Sequence, residues 1–194
     1  MLDLTKYRLI LGSKSSRRAE LLNLLDWDFE QVNIDADEHY DSSLALNQVA
    51  EHLAKVKSDA YGDLKEDEIL ITADTVVIIG NQILGKPQSE REAESMLQLL
   101  SGSEHEVVSG VCLRSANNQM EFSSTSTVCF AQLTAEEIGY YIEKYGPFDK
   151  AGAYGIQEWI GAIGVESLTG SYYNVMGLPV HALYEHMKAF LKDE

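Results

Sequence analysis

The chain has 194 residues, of which 45% are hydrophobic and 24% are charged, a composition typical of a globular protein. Its formal net charge of −16 repels the phosphate backbone, which argues against non-specific binding of DNA or RNA. No apolar run approaches the length of a membrane span, and residues 1–6 lack the pattern of a secretion signal. We therefore expect a cytoplasmic protein with neither a membrane nor a nucleic acid as its partner.

The first strand-to-helix turn of the chain carries the clearest indication of a ligand. A buried strand over residues 9–11 passes through Gly12 and a serine-rich turn into a helix whose apolar side holds Leu21 and Leu22. The cations at or near the start of this helix are Lys14, Arg17 and Arg18. The helix dipole disfavours each cation there by about 0.3–1 kcal/mol, a cost that a bound polyphosphate would offset. The alternative is a solvated first turn whose arginines pair with carboxylates such as Glu20.

A charged residue interrupts the most hydrophobic strand of the chain. The run over residues 69–79 is rich in β-branched residues and contains a single charge, that of Asp74. A buried strand does not hold a carboxylate without a partner, because removing the charge from water is expensive. Asp74 should therefore meet a metal, a lysine or water in a cleft. Lys86 is a candidate partner because Pro87 biases it to an extended backbone, and a plain ion pair with Lys86 is the alternative to a catalytic role for Asp74.

The remaining predicted elements alternate between helices and strands. Strands are predicted over residues 29–34, 106–113 and 120–130, and helices over residues 44–61, from 89 to 101, from 134 to 145 and from 179 onward. A tight hairpin turn is predicted at residues 80–81. Two glycine-bearing segments, 148–157 and 170–179, indicate close approach of the backbone to another group. Cys112 and Cys129 lack the spacing of a metal or redox motif, so we interpret them as small thiols rather than a disulfide.

Five motifs in this order carry a resemblance to a known family. They are Ser13-x-Ser15-x-Arg17-Arg18, Ala73-Asp74-Thr75, Gly85-Lys86-Pro87, the segment from Asp149-Lys150 to Tyr154-Gly155-Ile156-Gln157, and the segment from Gly170-Ser171-Tyr172 to Gly177-Leu178-Pro179. Together they span nearly the whole chain and resemble the Maf family of nucleoside triphosphate pyrophosphatases. The Ala-Asp-Thr and Tyr-Gly-Ile-Gln forms resemble the branch that hydrolyses dTTP and UTP.

The resemblance implies a fold, a reaction and a cofactor. The fold would be an α/β one in a single domain over residues 1–194, with an elongated mixed sheet flanked by helices and a central cleft between two lobes. The reaction would split the α–β phosphoanhydride of a nucleoside triphosphate substrate, releasing the monophosphate and pyrophosphate, as housecleaning of nucleotide pools. A divalent metal cation, Mg²⁺ or Mn²⁺, would assist. A homodimer would be consistent with the family.

The resemblance also assigns roles to individual residues. Asp74 matches the proposed general base, and Arg17, Thr75 and Gln157 match positions tied to substrate choice. The other matched pocket residues are Ser13, Arg18, Lys57, Lys86, Asp149 and Lys150. Glu38 matches an acidic residue near the metal, which it would hold together with Asp74. Phosphate neutralisation would fall to Arg17, Arg18, Lys86 and Lys57.

Several alternatives stand beside this assignment. Lys57 is equally consistent with a surface lysine, and Gln157 with a plain backbone cap rather than a reader of a pyrimidine edge. Two positions depart from the family pattern: Ser16 stands where proline is common, and Glu158 stands where glycine is common after the glutamine. The competing functional hypotheses are a nucleotide sensor without hydrolysis, a cell-division regulator acting through a protein partner, and the same reaction on modified nucleotides.

Overall fold

The computed structural model describes residues 2–192. The strands are β1 (Arg8–Gly12), β2 (Phe29–Val32), β3 (Glu68–Ile79), β4 (Gln82–Leu84), β5 (Glu104–Arg114), β6 (Gln119–Phe130) and β7 (Val165–Thr169). The helices are α1 (Ser16–Asn23), α2 (Val49–Asp59), α3 (Glu90–Leu100), α4 (Ala135–Tyr145), α5 (Trp159–Gly164), α6 (Tyr172–Met176) and α7 (Val180–Phe190). Short 3-10 turns occupy Leu46–Gln48 and Ala151–Ala153. The order of elements confirms the predicted α/β class.

The strands of the described chain form one seven-stranded mixed sheet. Its order is β2-β1-β3-β5-β6-β7, and β4 pairs with β3 beside this path. β1 runs parallel to both β2 and β3, whereas β3 with β4 and β6 with β7 are antiparallel. The pairing of Ile79 with Gln82 confirms the predicted two-residue hairpin turn between them. The sheet therefore matches the predicted mixed architecture.

The chain divides into two compact units. The first comprises Met1–Asp74, Ser109–Ser124 and Gly177–Glu194, and the second comprises Thr75–Val108 and Thr125–Met176. The unit boundaries fall within β3, β5 and β6. The predicted single domain over residues 1–194 and the predicted cleft stay predictions.

The first unit is built on a parallel arrangement of β1, β2 and the first half of β3. β1 beyond Arg8 and the first half of β3 are largely buried, as their apolar runs predict, whereas β2 is only half-buried and alternates along its length. Gly110 on β5 lets the start of α2 approach the sheet, because a Cβ there would lie 2.2 Å from the backbone nitrogen of Glu51. Thr72 of β3 then donates its hydroxyl to the carbonyl of Ala54 at 2.6 Å. These contacts fix α2 on the face of β3.

The second unit has its own hydrophobic core. Residues from β3, β4, α3, β5, β6, α4 and α5 meet in one cluster around Leu97, Phe130 and Tyr141. Two of its helices, α3 and α4, begin where the sequence predicts: Thr134 and Glu137 form a complete capping box, and the Ser89 side chain accepts from the amide of Glu92. Local sequence therefore determines where α3 and α4 begin.

A buried asparagine holds the segment that follows β7. Asn174 on α6 is fully buried and donates its amide to the carbonyl of Val107 at 3.0 Å and to the hydroxyl of Ser126 at 2.9 Å. Ser126 also accepts from the amide of Ser171 at 3.0 Å. Gly170 is required beside this network, since a Cβ there would lie 2.7 Å from the Ser126 hydroxyl. The predicted close backbone approach in segment 170–179 thus serves internal packing.

Several features were predicted imperfectly. The helix expected over residues 44–61 begins later, at Val49, after a 3-10 turn. α5, β7 and α6 were not predicted, because glycines and short lengths conceal their periodicity. In the described chain both cysteines are free thiols, as expected: Cys112 is buried, and Cys129 is partly buried. Over residues 2–192 no helix is long and apolar enough to span a membrane.

A buried histidine makes the stability of the second unit depend on pH. His105 is 2% exposed and shares a hydrogen bond of 2.7 Å with the hydroxyl of Tyr154. Burial lowers the pKa of His105 to about 4. Below the ordinary pKa of about 6.5 the unfolded chain takes up a proton that the folded chain does not. We expect His105 to remove about 3 kcal/mol of unfolding free energy as pH falls from 6.5 to 4.

Urea unfolding of the wild type and of His105→Gln, measured between pH 7 and pH 4, tests this expectation. The variant should be less stable at pH 7 but should lose less stability as the pH falls. The exposed His181→Gln change is the matched control and should keep the wild-type slope. Identical slopes for wild type and His105→Gln would contradict the assignment.

Candidate functional site

The turn between β1 and α1 has a tightly determined backbone. A side chain at Gly12 would displace its neighbours, because a Cβ there would lie 2.3 Å from Cδ1 of Ile34 and 2.9 Å from Cγ2 of Thr72. The amide of Ser13 donates to the carbonyl of Val32 on β2 at 3.0 Å. Ser15 caps α1, its hydroxyl accepting from the amide of Arg18 at 3.4 Å. The predicted strand-turn-helix is confirmed, and α1 ends at Asn23.

A glutamine on β2 forms hydrogen bonds with the backbone of this turn. The side-chain amide of Gln31 donates to the carbonyl of Ser13 at 2.8 Å and to that of Ser15 at 3.4 Å. These two bonds satisfy loop carbonyls that would otherwise present partial negative charge to an incoming anion. No sequence signal marks Gln31, because an exposed glutamine on an alternating strand is ordinary. The structure thus adds a supporting residue that the sequence did not indicate.

Arg18 lies inside this site and not on a solvated turn. Its Nε donates to the carbonyl of Gly177 at 2.9 Å, and its Nη1 approaches the hydroxyl of Ser13 at 3.5 Å. Burial lowers the pKa of Arg18, and the charges of Asp74 and Glu38 oppose that effect. An arginine remains cationic even so. The first predicted alternative, a solvated pair of arginines, is therefore wrong for Arg18.

Lys57 on α2 joins the two carboxylates predicted to hold a metal. Its ammonium lies 2.5 Å from Oδ1 of Asp74 and 3.2 Å from Oε1 of Glu38. The side chains of Lys57 and Asp74 are only 13% and 14% exposed, whereas that of Glu38 is 54% exposed. The lysine that meets Asp74 is thus Lys57 of α2, where the sequence suggested Lys86. Lys57 is mostly buried and paired with two carboxylates, so it is not the surface lysine of the alternative interpretation.

The turn before α1 lines one cavity of the first unit together with Glu38 and Lys57. The cavity has a volume of about 110 Å³, and its lining includes Ser13, Lys14, Arg18, Glu38 and Lys57. Asp35 also lines the cavity. Its lining thus contains three cations, two acidic residues and the backbone amides of the turn. Cationic groups around a helix N-terminus favour a phosphate-bearing ligand, and the carboxylates can accept protons or coordinate a cation. Arg17 is partly buried on the first turn of α1.

The predicted site residues of the second unit cluster around the segment 149–158. The amide of Gly152 donates to the carbonyl of Gly85 at 3.0 Å, which brings this segment beside the turn that carries Lys86. Gly152 has a positive φ of 69°, and a Cβ there would lie 3.1 Å from Cγ2 of Val77, so glycine is favoured at this position. Lys86 and Gln157 are exposed.

The two charged residues of this segment, Asp149 and Lys150, differ in their exposure to solvent. Lys150 is buried and forms ion pairs with Asp149 at 2.8 Å and with Glu158 at 3.0 Å. Asp149 is exposed, and Thr75 at the start of this unit is partly buried. The sequence marks Glu158 only as a departure from the family pattern. Nothing in the residues around Glu158 predicts its ion pair with Lys150.

Comparison with known proteins identifies relatives over nearly the full length. The family model described as Maf-like protein matches residues 8–190. The chain is 53% identical over 195 residues to a dTTP/UTP pyrophosphatase of Porphyromonas gingivalis, covering 98% of each. It is 50% identical over 190 residues to a dTTP/UTP pyrophosphatase of Parabacteroides distasonis, covering 97% of this chain and 98% of the relative. The Staphylococcus aureus Ham1 protein aligns with 64% of this chain and 72% of its own at 14% identity and a TM-score of 0.46.

The role of Gln31 gives a test of the anion site. Gln31→Glu keeps the shape of the side chain but places a carboxylate oxygen against the two loop carbonyls. We expect the affinity for inorganic pyrophosphate to fall about tenfold, the equivalent of about 1.4 kcal/mol, because the turn loses its support and gains a repulsive charge. Isothermal titration calorimetry measures the affinity.

Gln82→Glu, at an exposed position of β4, makes the same change of charge outside the turn and serves as the control. It should bind pyrophosphate as the wild type does. Equal affinity in Gln31→Glu and in the wild type would show that the turn does not need this glutamine.

Proposed function

Because the chain belongs to the Maf family, we propose that it is a nucleoside triphosphate pyrophosphatase that hydrolyses dTTP and UTP to the monophosphate and pyrophosphate. The observation that carries the proposal is the placement of Asp74, paired with Lys57, next to a cavity lined by cations and turn amides. The names and near-complete coverage of the curated relatives support the substrate and the reaction. Removal of these nucleotides from the pool is the corresponding housecleaning role.

The proposed reaction needs a water molecule that is both oriented and deprotonated. Lys57 donates to Oδ1 of Asp74 at 2.5 Å, which holds this oxygen in place. In the proposal the second oxygen, Oδ2, accepts a proton from the water as its oxygen attacks the α-phosphorus. The bond between the α-phosphorus and the bridging oxygen breaks, and the electron pair leaves with pyrophosphate. A positioned base of this kind contributes about 10²- to 10⁴-fold to the rate.

The negative charge that develops on the phosphates also needs stabilisation. Arg18, Lys14 and the amides of the turn are the groups that line the cavity and suit this task. Arg18 is fixed by its bond to Gly177, so it is preorganised before the substrate binds. Arg17 and Lys86 are proposed as further contacts to the triphosphate.

A divalent cation fits the donor set of this site. Among residues 2–192 no three or more His, Cys, Asp and Glu side chains form a preformed metal cluster. Mg²⁺ is commonly held by only one or two carboxylates together with substrate phosphates, and Asp74 and Glu38 share one ammonium here. These two carboxylates would hold Mg²⁺ or Mn²⁺. When bound, the ion would neutralise phosphate charge.

The selection of the base is proposed to lie with the second unit. The amide of Gln157 can donate and accept hydrogen bonds, as can the edge of uracil or thymine, and it is exposed to receive a ligand. Thr75 and Asp149 are proposed as further substrate contacts. The cytoplasmic location and the homodimer stay predictions.

Turnover of nucleotides by the wild type and by Asp74→Asn tests the proposed reaction and its base. We expect the purified wild type, with Mg²⁺ or Mn²⁺, to release pyrophosphate from dTTP and UTP in preference to CTP, GTP and 7-methyl-GTP. Asp74→Asn should lower kcat by about 10²- to 10⁴-fold because the amide cannot accept the proton of the water. Pyrophosphate release and identification of the monophosphate measure both outcomes.

Asp63→Asn, at an exposed loop position of the same unit, is the control and should keep wild-type turnover. A folded Asp74→Asn protein with most of its kcat would refute the assigned base. Binding of nucleotides without release of pyrophosphate would favour a sensor, and turnover of another nucleotide would overturn the role of Gln157 while keeping the reaction.

A further inference from the structure

A buried lysine of the second unit is already neutralised by its neighbours. The side chain of Lys150 is 9% exposed, and its ammonium lies between Oδ1 of Asp149 and Oε1 of Glu158. One cation and two carboxylates leave a formal charge of −1 on this group. A buried ammonium that lies between two carboxylates adds little attraction for a triphosphate. The arrangement is therefore better suited to fixing the positions of its carboxylates than to binding phosphate.

Glu158 is the member of this group that is anchored to the core. Its Oε2 accepts a hydrogen bond from the hydroxyl of Tyr141, a fully buried residue of α4. The same hydroxyl accepts from the amide of Gly155 at 3.0 Å. Burial, reinforced by Glu158, raises the pKa of Tyr141, so the phenol stays protonated and keeps donating. A continuous chain of bonds thus leads from Gly155 through Tyr141 and Glu158 to Lys150.

The same carboxylate borders the residue proposed to read the base. A Cβ placed on Gly155 would lie 2.9 Å from Cδ of Glu158 and 3.1 Å from Nε2 of Gln157. The carboxylate and the amide therefore pack on the same glycine. A carboxylate attracts the NH₂ end of a nearby amide, which leaves the carbonyl end of Gln157 for the ligand. That carbonyl can accept the N3–H of uracil or thymine, whereas cytosine has no proton at N3.

We propose that Glu158 is a positioning residue that fixes Lys150 and orients the amide of Gln157, and that it thereby sets the preference for uracil and thymine over cytosine. The inference rests on the proposed function, since it refines the choice of base at that site. Glu158 contacts neither the reacting phosphorus nor the water in this proposal. It acts through Lys150 and Gln157.

The ratio of kcat/KM for UTP to that for CTP is the discriminating measurement, because the fraction of folded enzyme cancels in the ratio. We expect Glu158→Ala to lower this ratio at least tenfold and to raise KM for UTP. Glu158→Gln should give an intermediate ratio, since its amide oxygen still accepts from Tyr141. Glu143→Gln, an exposed change of charge on α4, should leave the ratio unchanged. An unchanged ratio and KM in Glu158→Ala, or a loss confined to kcat, would overturn the proposal.

A measurement without turnover separates this inference from the proposed function. Nitrogen-15 NMR of lysine ammonium groups should show a slowly exchanging Lys150 signal in the wild type, assigned by its loss in Lys150→Arg. The signal should disappear in Glu158→Gln and weaken in Tyr141→Phe. A wild type that hydrolyses no triphosphate would refute the proposed function, and the ammonium signal would still decide whether Glu158 holds Lys150. A signal unchanged in Glu158→Gln would overturn the inference.

Discussion

The ion pair between Lys57 and Asp74 is the interaction on which the candidate site depends. The hydrophobic strand β3 contains the carboxylate of Asp74, and that charge is tolerated only because an ammonium lies 2.5 Å away. The ammonium reaches it because α2 packs closely on the sheet, which in turn requires glycine at position 110. The packing of a helix thus determines the electrostatics of the site. A side chain at Gly110 would displace α2 and, with it, the partner of Asp74.

A second constraint acts on the turn that precedes α1. Gly12 allows β1 to pass close to Ile34, Ser15 caps the helix, and Gln31 occupies two carbonyls of the turn. Each contact restricts the conformations of the loop before an anion binds, so less conformational entropy is lost on binding. Arg18 is likewise held in place by Gly177, near the start of α7. The affinity of such a site comes as much from preorganisation as from its positive charge.

Features that depend on neighbouring residues in the sequence could be predicted. Features that depend on tertiary packing could not. The capping residues Ser89 and Thr134 mark the starts of α3 and α4, because a cap involves residues only three positions apart. Asp74 was recognisable as a site residue because its charge conflicts with its strand. Its partner was not, since α2 and β3 meet through tertiary contacts that have no signature in either segment. Gln31 and Glu158 escaped prediction for the same reason, as each acts on residues of another element or turn.

Lys57 and Lys150 follow one electrostatic pattern, each within its own unit. Lys57 pairs with the nearly buried Asp74 and the exposed Glu38, and Lys150 pairs with the partly buried Glu158 and the exposed Asp149. Each group carries a formal charge of −1 and presents one carboxylate to solvent. Such groups repel a triphosphate unless other cations intervene, which in the first unit are Arg18 and Lys14. The carboxylate pairs therefore suit proton transfer, cation binding and recognition of a neutral base, whereas attraction of the phosphates must come from the turn.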